Sequence, residues 1–422
     1  MLKRTFQHRR LVSRASSSLG APARQARHFS TAPGSAGGGN GGLKISRQAV
    51  ANEAIEVFKL LFGTVTVLLG GSMAMGYATE NYKRMHPPTP PGQLVDIDIE
   101  GHKSTIHAQV QSALGSGPHD VVVILDGSLG ETSFDWEKVA AEISDVATVV
   151  AIDRPGLAFS TPGVLPRSAA TIAKEYRAVL DKLEISKPVI LVGHGTGGYN
   201  MRQLASDLLD DPTANTCLGL VLVDAMHESV KPAMDALSPA VQEALASRQK
   251  NANTLLKMSH FGLIRLVHFL QSKRNATRFS TTALPYVDYF TPTPVHRRGV
   301  VKENEAIGDI EASLLASPTP SLGIPLVVLS HGDHTMFKSM LMEPGIDESI
   351  VEHMEAEWSR GQTELLKLSP RSVQRVIPAV GHDIPHEKPE EVAAAILAVL
   401  NESQGHKTSG LASLKTQECP IK

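Results

Sequence analysis

The sequence predicts an α/β fold in which a mostly parallel, doubly wound sheet is flanked by helices. Short apolar runs rich in β-branched residues recur along the chain, which is typical of strands buried on both faces. Helical stretches separate the runs, and strands that alternate with helices favour parallel neighbours joined by crossovers. The runs are Val121–Leu125, Thr148–Ile152, Pro188–Val192, Leu218–Val223, Ile324–Leu329 and Val373–Ile377.

An antiparallel hairpin is predicted before these strands. Val95–Ile99 and Thr105–Val110 both alternate apolar and polar residues, which indicates strands with one buried face. Residues 226–322 lie between strands and lack strand signals. Within them, Ser259–Leu270 carries apolar residues at helical spacing. We therefore expect a helical insertion at 226–322.

The composition bounds the chemistry of the chain. At 422 residues and 42% apolar content, the chain is long enough for one large domain with extensions. Its 2 cysteines, Cys217 and Cys419, have neither disulfide-framework nor metal-ligand spacing. The chain also lacks a phosphate-binding glycine loop and a basic stripe interleaved with aromatic residues. The sequence thus predicts no cofactor, no metal and no nucleic-acid partner.

The N-terminal segment is strongly basic. Residues 1–52 contain no Asp or Glu and carry nine Lys and Arg residues. An Arg-rich, Ser-rich and acid-free composition is typical of a mitochondrial transit peptide, which we assign to residues 1–33. The alternative interpretation is a disordered basic tail.

The next segments predict a membrane anchor. Residues 34–59 are interpreted as a flexible Gly-rich linker and pre-membrane segment. Residues 60–79 contain no charge and match the length that spans a bilayer; a buried helix packed on the domain is the alternative. Residues 80–92 form a Pro-rich spacer. We expect a single-pass protein of the mitochondrial inner membrane.

Four loops carry candidate functional residues, because ligand sites in such sheets lie beyond the carboxyl ends of the strands. Three of the loops follow predicted strands directly, and the fourth lies near the C-terminus. The motifs are Asp126-Gly-Ser-Leu-Gly130, Asp153-Arg-Pro-Gly-Leu-Ala-Phe-Ser160, Gly193-His-Gly-Thr-Gly-Gly198 and Gly381-His-Asp-Ile-Pro-His-Glu-Lys-Pro-Glu390.

In this order the motifs resemble those of the α/β-hydrolase fold superfamily, the serine esterases and lipases, over about residues 94–401. The nucleophile elbow of that superfamily is Gly-x-Ser-x-Gly. Here Gly193 and Gly197 match, but Gly195 replaces the nucleophile serine. The resemblance implies a hydrolase core at 93–225 and 323–402, a helical cap at 226–322 and a polar tail at 403–422.

Gly195 retains the shape of the elbow without its hydroxyl. The nucleophile of an elbow sits in a strained turn, usually at positive φ, which costs a side-chain-bearing residue about 1–3 kcal/mol. Glycine adopts the same turn without that cost. The flanking residues His194 and Thr196 are expected to point elsewhere, so neither replaces the missing serine.

The resemblance implies that the general base is His382, while the nearby His386 is interpreted as a surface histidine. The acid is either Asp224 or Asp333, each of which follows a predicted strand. The spacing near Asp333 departs from the usual pattern, which favours Asp224. A helix N-cap is the alternative role of Asp224.

The oxyanion hole is expected to use the backbone N–H groups of Thr196 and Ser128, or of Leu129 if the loop register differs. Asp126 stands where the superfamily usually has a histidine. A carboxylate near a developing oxyanion is unfavourable unless it is protonated or turned away.

The predicted function is that of a membrane-anchored protein that resembles carboxylic-ester hydrolases but is weakly active or inactive, because Gly195 replaces the nucleophile. One alternative is a non-catalytic protein that binds a small apolar or acyl-bearing ligand, which a cap rich in Leu, Ile, Met and Phe favours, or a protein partner. Another is lyase-type or water-mediated chemistry that uses His382.

Overall fold

The computed structural model describes residues 46–113, 121–270 and 276–415, so the predicted transit peptide at 1–33 lies outside the described residues. The strands of the described chain belong to a single sheet. They are β1 (Gln93–Ile99), β2 (His102–Gln111), β3 (Val122–Asp126), β4 (Thr148–Ile152), β5 (Val189–His194), β6 (Cys217–Val223), β7 (Leu326–His331) and β8 (Ser372–Ile377).

The sheet has the order β1-β2-β4-β3-β5-β6-β7-β8. β1 and β2 form the predicted antiparallel hairpin, and β2 also runs antiparallel to β4. All other neighbours are parallel. Every residue of β3 and β5 is buried, as expected for strands covered on both faces. The predicted fold class is confirmed.

Helices cover both faces of the sheet. The helices at Ala169–Lys182 (α3) and Gly197–Asp210 (α4) pack on one face through residues such as Tyr176 and Leu204. The helices at Glu137–Ile143 (α2) and Pro389–Ser403 (α12) pack on the other through Ile143 and Ile396. Outside the cap, the helices are α1 (Arg47–Met85), α2 (Glu137–Ile143), α3 (Ala169–Lys182), α4 (Gly197–Asp210), α10 (Glu348–Glu364), α11 (Ile384–Glu387), α12 (Pro389–Ser403) and α13 (Ala412–Lys415).

The insertion between β6 and β7 is helical where it is described. Its helices are α5 (Val230–Leu237), α6 (Pro239–Ser259), α7 (Leu263–Leu270), α8 (Leu284–Phe290) and α9 (Pro294–Ala316). Hydrogen bonds join α9 to the core, including two pairs of side chains. Arg154 binds Glu303 at 2.6 Å, and the Tyr199 hydroxyl donates to Glu311 at 3.1 Å.

The N-terminal helix is longer than the predicted span at 60–79. α1 begins at Arg47, inside the segment predicted as linker and pre-membrane segment, and ends at Met85, inside the predicted spacer. Residues 47–59 continue the helix because they contain neither glycine nor proline and include good helix formers such as Ala, Glu and Lys. The helix ends just before Pro87, as expected, because proline disfavours helical backbone in the residue before it. α1 is long and apolar enough to cross a membrane.

The C-terminal part of α1 contacts the cap helix α7. Glu80 is 1% exposed, and its carboxylate accepts hydrogen bonds of 2.9 and 3.1 Å from Arg265. Arg265 also donates to the carbonyls of Asp288 and Tyr289. Gly76 lies so close to the carbonyl of Phe261 that a Cβ there would stand 2.1 Å from the oxygen. A small residue is therefore required at this contact.

The segment after α12 is not wholly a polar tail. Leu411 and Leu414 are buried in the core on the α12 side of the sheet. Leu414 lies on the short helix α13 and Leu411 directly precedes it. Residues three apart share one face of a helical turn, so both side chains can reach the core. The prediction of a polar tail at 403–422 was wrong for these residues, and residues 416–422 lie outside the described chain.

Candidate active site

The turn between β5 and α4 has the shape of a nucleophile elbow. Gly195 has φ +52°, a conformation that glycine adopts without the usual penalty. Its N–H donates to the carbonyl of Val223 at 3.1 Å, and its carbonyl accepts from the N–H of Met226 at 3.0 Å. A Cβ at Gly193 would stand 2.7 Å from the carbonyl oxygen of Gly197. The flanking glycines thus allow strand and helix to approach closely.

The side chain of Ser128 occupies the space beside Gly195. A Cβ built on Gly195 would lie 2.2 Å from Ser128 Oγ and 2.7 Å from Ser128 Cβ. The same Cβ would lie 3.4 Å from His382 Nε2. Gly195 therefore leaves room for Ser128 next to His382, and a side chain at position 195 requires Ser128 to move.

His382 and Asp224 form a hydrogen-bonded pair. His382 Nδ1 donates to Asp224 Oδ2 at 2.6 Å, with the His382 side chain 28% exposed and Asp224 fully buried. Asp224 lies directly after β6 at φ +41°, a region that non-glycine residues rarely adopt outside constrained sites. Among the described residues, Asp333 has no hydrogen bond to His382; its backbone N–H donates to the carbonyl of Val380. The structure brings Gly195, His382 and Asp224 together and leaves Asp333 aside.

Asp224 has two further side-chain partners that the sequence analysis did not identify. His331 Nδ1 donates to Asp224 Oδ2 at 2.8 Å, and Trp358 Nε1 donates to Oδ1 at 3.0 Å. Burial alone would raise the pKa of Asp224, but the hydrogen bonds from His331 and His382 outweigh it and hold the pKa well below its usual range. The sequence offers one indication of Trp358: it is one of only 2 tryptophans in the chain, and its rarity could have marked it as a candidate site residue.

The predicted oxyanion donor at Ser128 is already engaged. Its backbone N–H donates to Glu131 Oε2 at 2.7 Å. The same oxygen accepts from His194 Nδ1 at 2.7 Å, and His194 Nε2 donates to the carbonyl of His382 at 2.9 Å. The assignment of Ser128 as a free donor does not hold in this conformation, because a carboxylate three residues further along accepts its N–H. Thr196, the other predicted donor, is the N-cap residue of α4.

The His194–Glu131 pair predicts a pH-dependent stability. Burial would lower the pKa of His194, but the adjacent Glu131 carboxylate raises it to about 9. The folded state therefore holds a proton that the unfolded state releases above pH ~6.5. The stabilisation is fully present below that pH and is lost as the pH rises towards 9, by about 3 kcal/mol.

This loss is measured by urea unfolding of the full-length protein in detergent and a chelator at pH 6.5 and pH 9. The wild type is expected to lose about 3 kcal/mol more than His194→Gln between the two pH values. Parallel losses in the two proteins would contradict a protonated His194.

Asp126 is turned away from the elbow. Its carboxylate is fully buried, forms an ion pair with Arg154 and accepts from Asn200 Nδ2 at 2.7 Å. Arg154 also donates to the carbonyls of Gly127 and Ser128. The carboxylate thus helps to fix the loop after β3, which brings Ser128 towards Gly195.

A small cavity lies between the elbow and the cap. It measures about 20 Å³, lies beside Leu129, Thr196 and Ile307, and has room for about one water molecule. An acyl-bearing ligand does not fit in this cavity. A larger groove of about 580 Å³ lies elsewhere, between the C-terminal part of α1 and α7.

His386 is not the surface histidine that the sequence suggested. It is buried, and its Nε2 lies 3.1 Å from Asp135 Oδ1. Its other ring nitrogen contacts the carbonyl of Arg278, whose guanidinium forms ion pairs with Glu131, Asp135 and Asp383. His386 therefore belongs to a charged cluster between the core and the cap.

Comparison with known proteins gives matches over most of this domain. A family model described as the alpha/beta hydrolase family matches residues 115–395. Protein phosphatase methylesterase 1 of Bos taurus is 29% identical over 195 residues, which cover 44% of this chain and 48% of the methylesterase. A probable transporter of Hormonema carpetanum is 30% identical over 147 residues, which cover 34% of this chain and 20% of the transporter. The chain thus spans less than half of either relative.

Among solved structures, a probable hydrolytic enzyme from Pseudomonas aeruginosa superimposes with a TM-score of 0.53 at 16% identity. The superposition covers 74% of this chain and 95% of that enzyme. At this identity the likeness concerns the fold alone.

Proposed function

The chain belongs to the alpha/beta hydrolase family, and from this membership we propose that it is a membrane-anchored protein of the carboxylic-ester hydrolase type with weak or no ester turnover. The carboxylic-ester class is supported by the partial similarity to a methylesterase. The observation that carries the proposal is the contrast between an intact His382–Asp224 pair and a glycine at the nucleophile position. The site has a base but lacks the elbow hydroxyl on which the base would act.

The test is labelling of the full-length protein, purified in detergent, with a fluorophosphonate probe, which reacts with activated serine hydroxyls. We expect no labelling, and hydrolysis of short-chain esters that is slow or at the background rate. The variant Ser128→Ala serves as the matched control, because it removes the hydroxyl nearest to position 195. Labelling of the wild type that Ser128→Ala abolishes would overturn the proposal and identify Ser128 as a replacement nucleophile.

Water-mediated hydrolysis by His382 is a second candidate function. His382 Nε2 faces the space beside Gly195, and Asp224 orients the ring. An imidazole held in this way can take a proton from water as a general base. This candidate predicts slow hydrolysis of activated esters that His382→Gln abolishes and Ser128→Ala leaves unchanged. Loss of the activity in Ser128→Ala would exclude it.

We propose the mitochondrial inner membrane as the location, with α1 as the single span. A fluorescent reporter fused to residues 1–92 is expected to accumulate in mitochondria and to stay in the pellet after carbonate extraction, because the arm is basic and acid-free and residues 60–79 carry no charge. A reporter that begins at residue 34 is the control and should lose the mitochondrial signal. Diffuse cytosolic fluorescence of the longer fusion would contradict targeting, and release by carbonate would contradict the span.

A further inference from the structure

We propose that His331, His334 and Glu355 form a Zn²⁺ site beside the His382–Asp224 pair. The three residues lie on β7, on the loop that follows it and on α10. One potential ligand atom from each lies within 4.8 Å of those from the other two. The proposal does not rest on the proposed function, since it involves neither Gly195 nor ester chemistry.

Two of the three ligands already have a suitable separation. His331 Nε2 lies 3.3 Å from Glu355 Oε2. Tetrahedral zinc with bonds of about 2.0–2.1 Å places its ligand atoms roughly 3.3 Å apart. The other oxygen of Glu355 accepts the backbone N–H of Phe337 at 3.1 Å, so the carboxylate is held with Oε2 towards His331. His334 is exposed, and a small movement of its side chain completes the set.

The orientation of His331 suits metal binding. Its Nδ1 donates to Asp224 Oδ2 at 2.8 Å, and its Nε2 donates to Glu355 Oε2 at 3.3 Å. Zn²⁺ would displace the Nε2 proton, since metal ligands bind in the deprotonated form, and Nδ1 would keep its hydrogen bond to Asp224. A carboxylate behind a histidine ligand is a common outer-shell arrangement in zinc sites, where it fixes the tautomer and the ring orientation. Asp224 would thus support both His331 and His382.

The surroundings provide shielding and access. The ring of Trp358 lies near that of His331, and the ring of Phe337 packs on Trp358, which limits the solvent around the inner ligands. The exposed side chain of His334 gives the ion a route from solvent. Two imidazoles and one carboxylate leave the fourth tetrahedral position for water, as in open zinc sites. Imidazole ligands favour Zn²⁺ over Mg²⁺.

The test uses untagged full-length protein in detergent, stripped with a chelator and then titrated with Zn²⁺ by calorimetry. We expect one zinc per chain to remain after dialysis, and X-ray absorption to show two imidazole ligands. His334→Ala and Glu355→Gln should each weaken the affinity at least about tenfold, and His334→Ala should show one imidazole ligand fewer. A tenfold excess of Mg²⁺ over Zn²⁺ should displace none of the metal.

His353→Ala is the matched control. His353 is an exposed histidine on α10, the same helix as Glu355, and its loss should leave the affinity unchanged. His334 is itself exposed, so folding of His334→Ala is not at risk. Absence of stoichiometric zinc would overturn the proposal, and so would zinc binding that both His334→Ala and Glu355→Gln leave unaltered.

Discussion

Gly195→Ser alone is expected to lower the free energy of unfolding by about 2–6 kcal/mol. A serine must adopt the positive φ of the elbow, which costs about 1–3 kcal/mol. Its Cβ must also displace Ser128, whose own Cβ would be only 2.7 Å away, and overpacking of this kind costs about 1–3 kcal/mol more. Rotation of the Ser128 hydroxyl does not relieve a contact between two Cβ atoms, so little fluorophosphonate labelling is expected from this variant.

Adding Ser128→Gly should reverse the overpacking and allow labelling. The double variant has a hydroxyl at position 195, and the His382–Asp224 pair is in place to activate it. Gly195→Ser with Ser128→Ala is the matched control, because alanine keeps the Cβ that causes the overlap. The measurements are labelling rates and urea unfolding of three variants: Gly195→Ser alone, with Ser128→Gly, and with Ser128→Ala. Strong labelling of Gly195→Ser alone, with wild-type stability, would show that Ser128 does not obstruct the elbow.

Asp224→Asn is expected to lower the free energy of unfolding by about 3–5 kcal/mol. The carboxylate accepts from His331, His382 and Trp358 in a buried position. An asparagine offers one acceptor oxygen, and its amide group brings a donor against other donors. Added to the Gly195→Ser and Ser128→Gly double variant, Asp224→Asn should also slow fluorophosphonate labelling by roughly 10⁴-fold, because His382 loses its orienting partner.

Asp333→Asn is the control for Asp224→Asn. Among the described residues Asp333 has no hydrogen bond to His382, so its substitution should change stability by no more than about 0.5 kcal/mol and leave labelling unaltered. Urea unfolding and labelling rates measure both variants under the same conditions. A larger effect at Asp333 than at Asp224 would move the acid to Asp333.

The sheet could be predicted from sequence because it depends on local patterns. The six apolar runs correspond closely to the observed parallel strands, since strands buried on both faces need almost continuous apolar residues. Gly195 and its neighbours were recognisable because the elbow is formed by consecutive residues. Helix α1 extends beyond the predicted span at both ends, because an uncharged stretch indicates a span but not the charged turns that continue the same helix.

The surroundings of the elbow could not be predicted, because they depend on contacts between residues far apart in the chain. Nothing in the sequence indicates that Glu131 binds the N–H of Ser128 or that the Ser128 side chain fills the space beside Gly195. His331 and Glu355 likewise belong to separate elements, so no ligand spacing predicted a metal there. A folded backbone is needed to bring such residues together.

The cap is held by two separate sets of contacts, one of which is the buried Glu80–Arg265 ion pair. Arg265 joins α1 to α7 and to the carbonyl end of α8, whereas Glu303 and Glu311 join α9 to the core through Arg154 and Tyr199. The two attachments use different residues, so loss of the Glu80–Arg265 pair would free α7 from α1 while α9 stays held by Glu303 and Glu311. The cap is therefore expected to loosen in steps, from its α1 side first, rather than to open as one body.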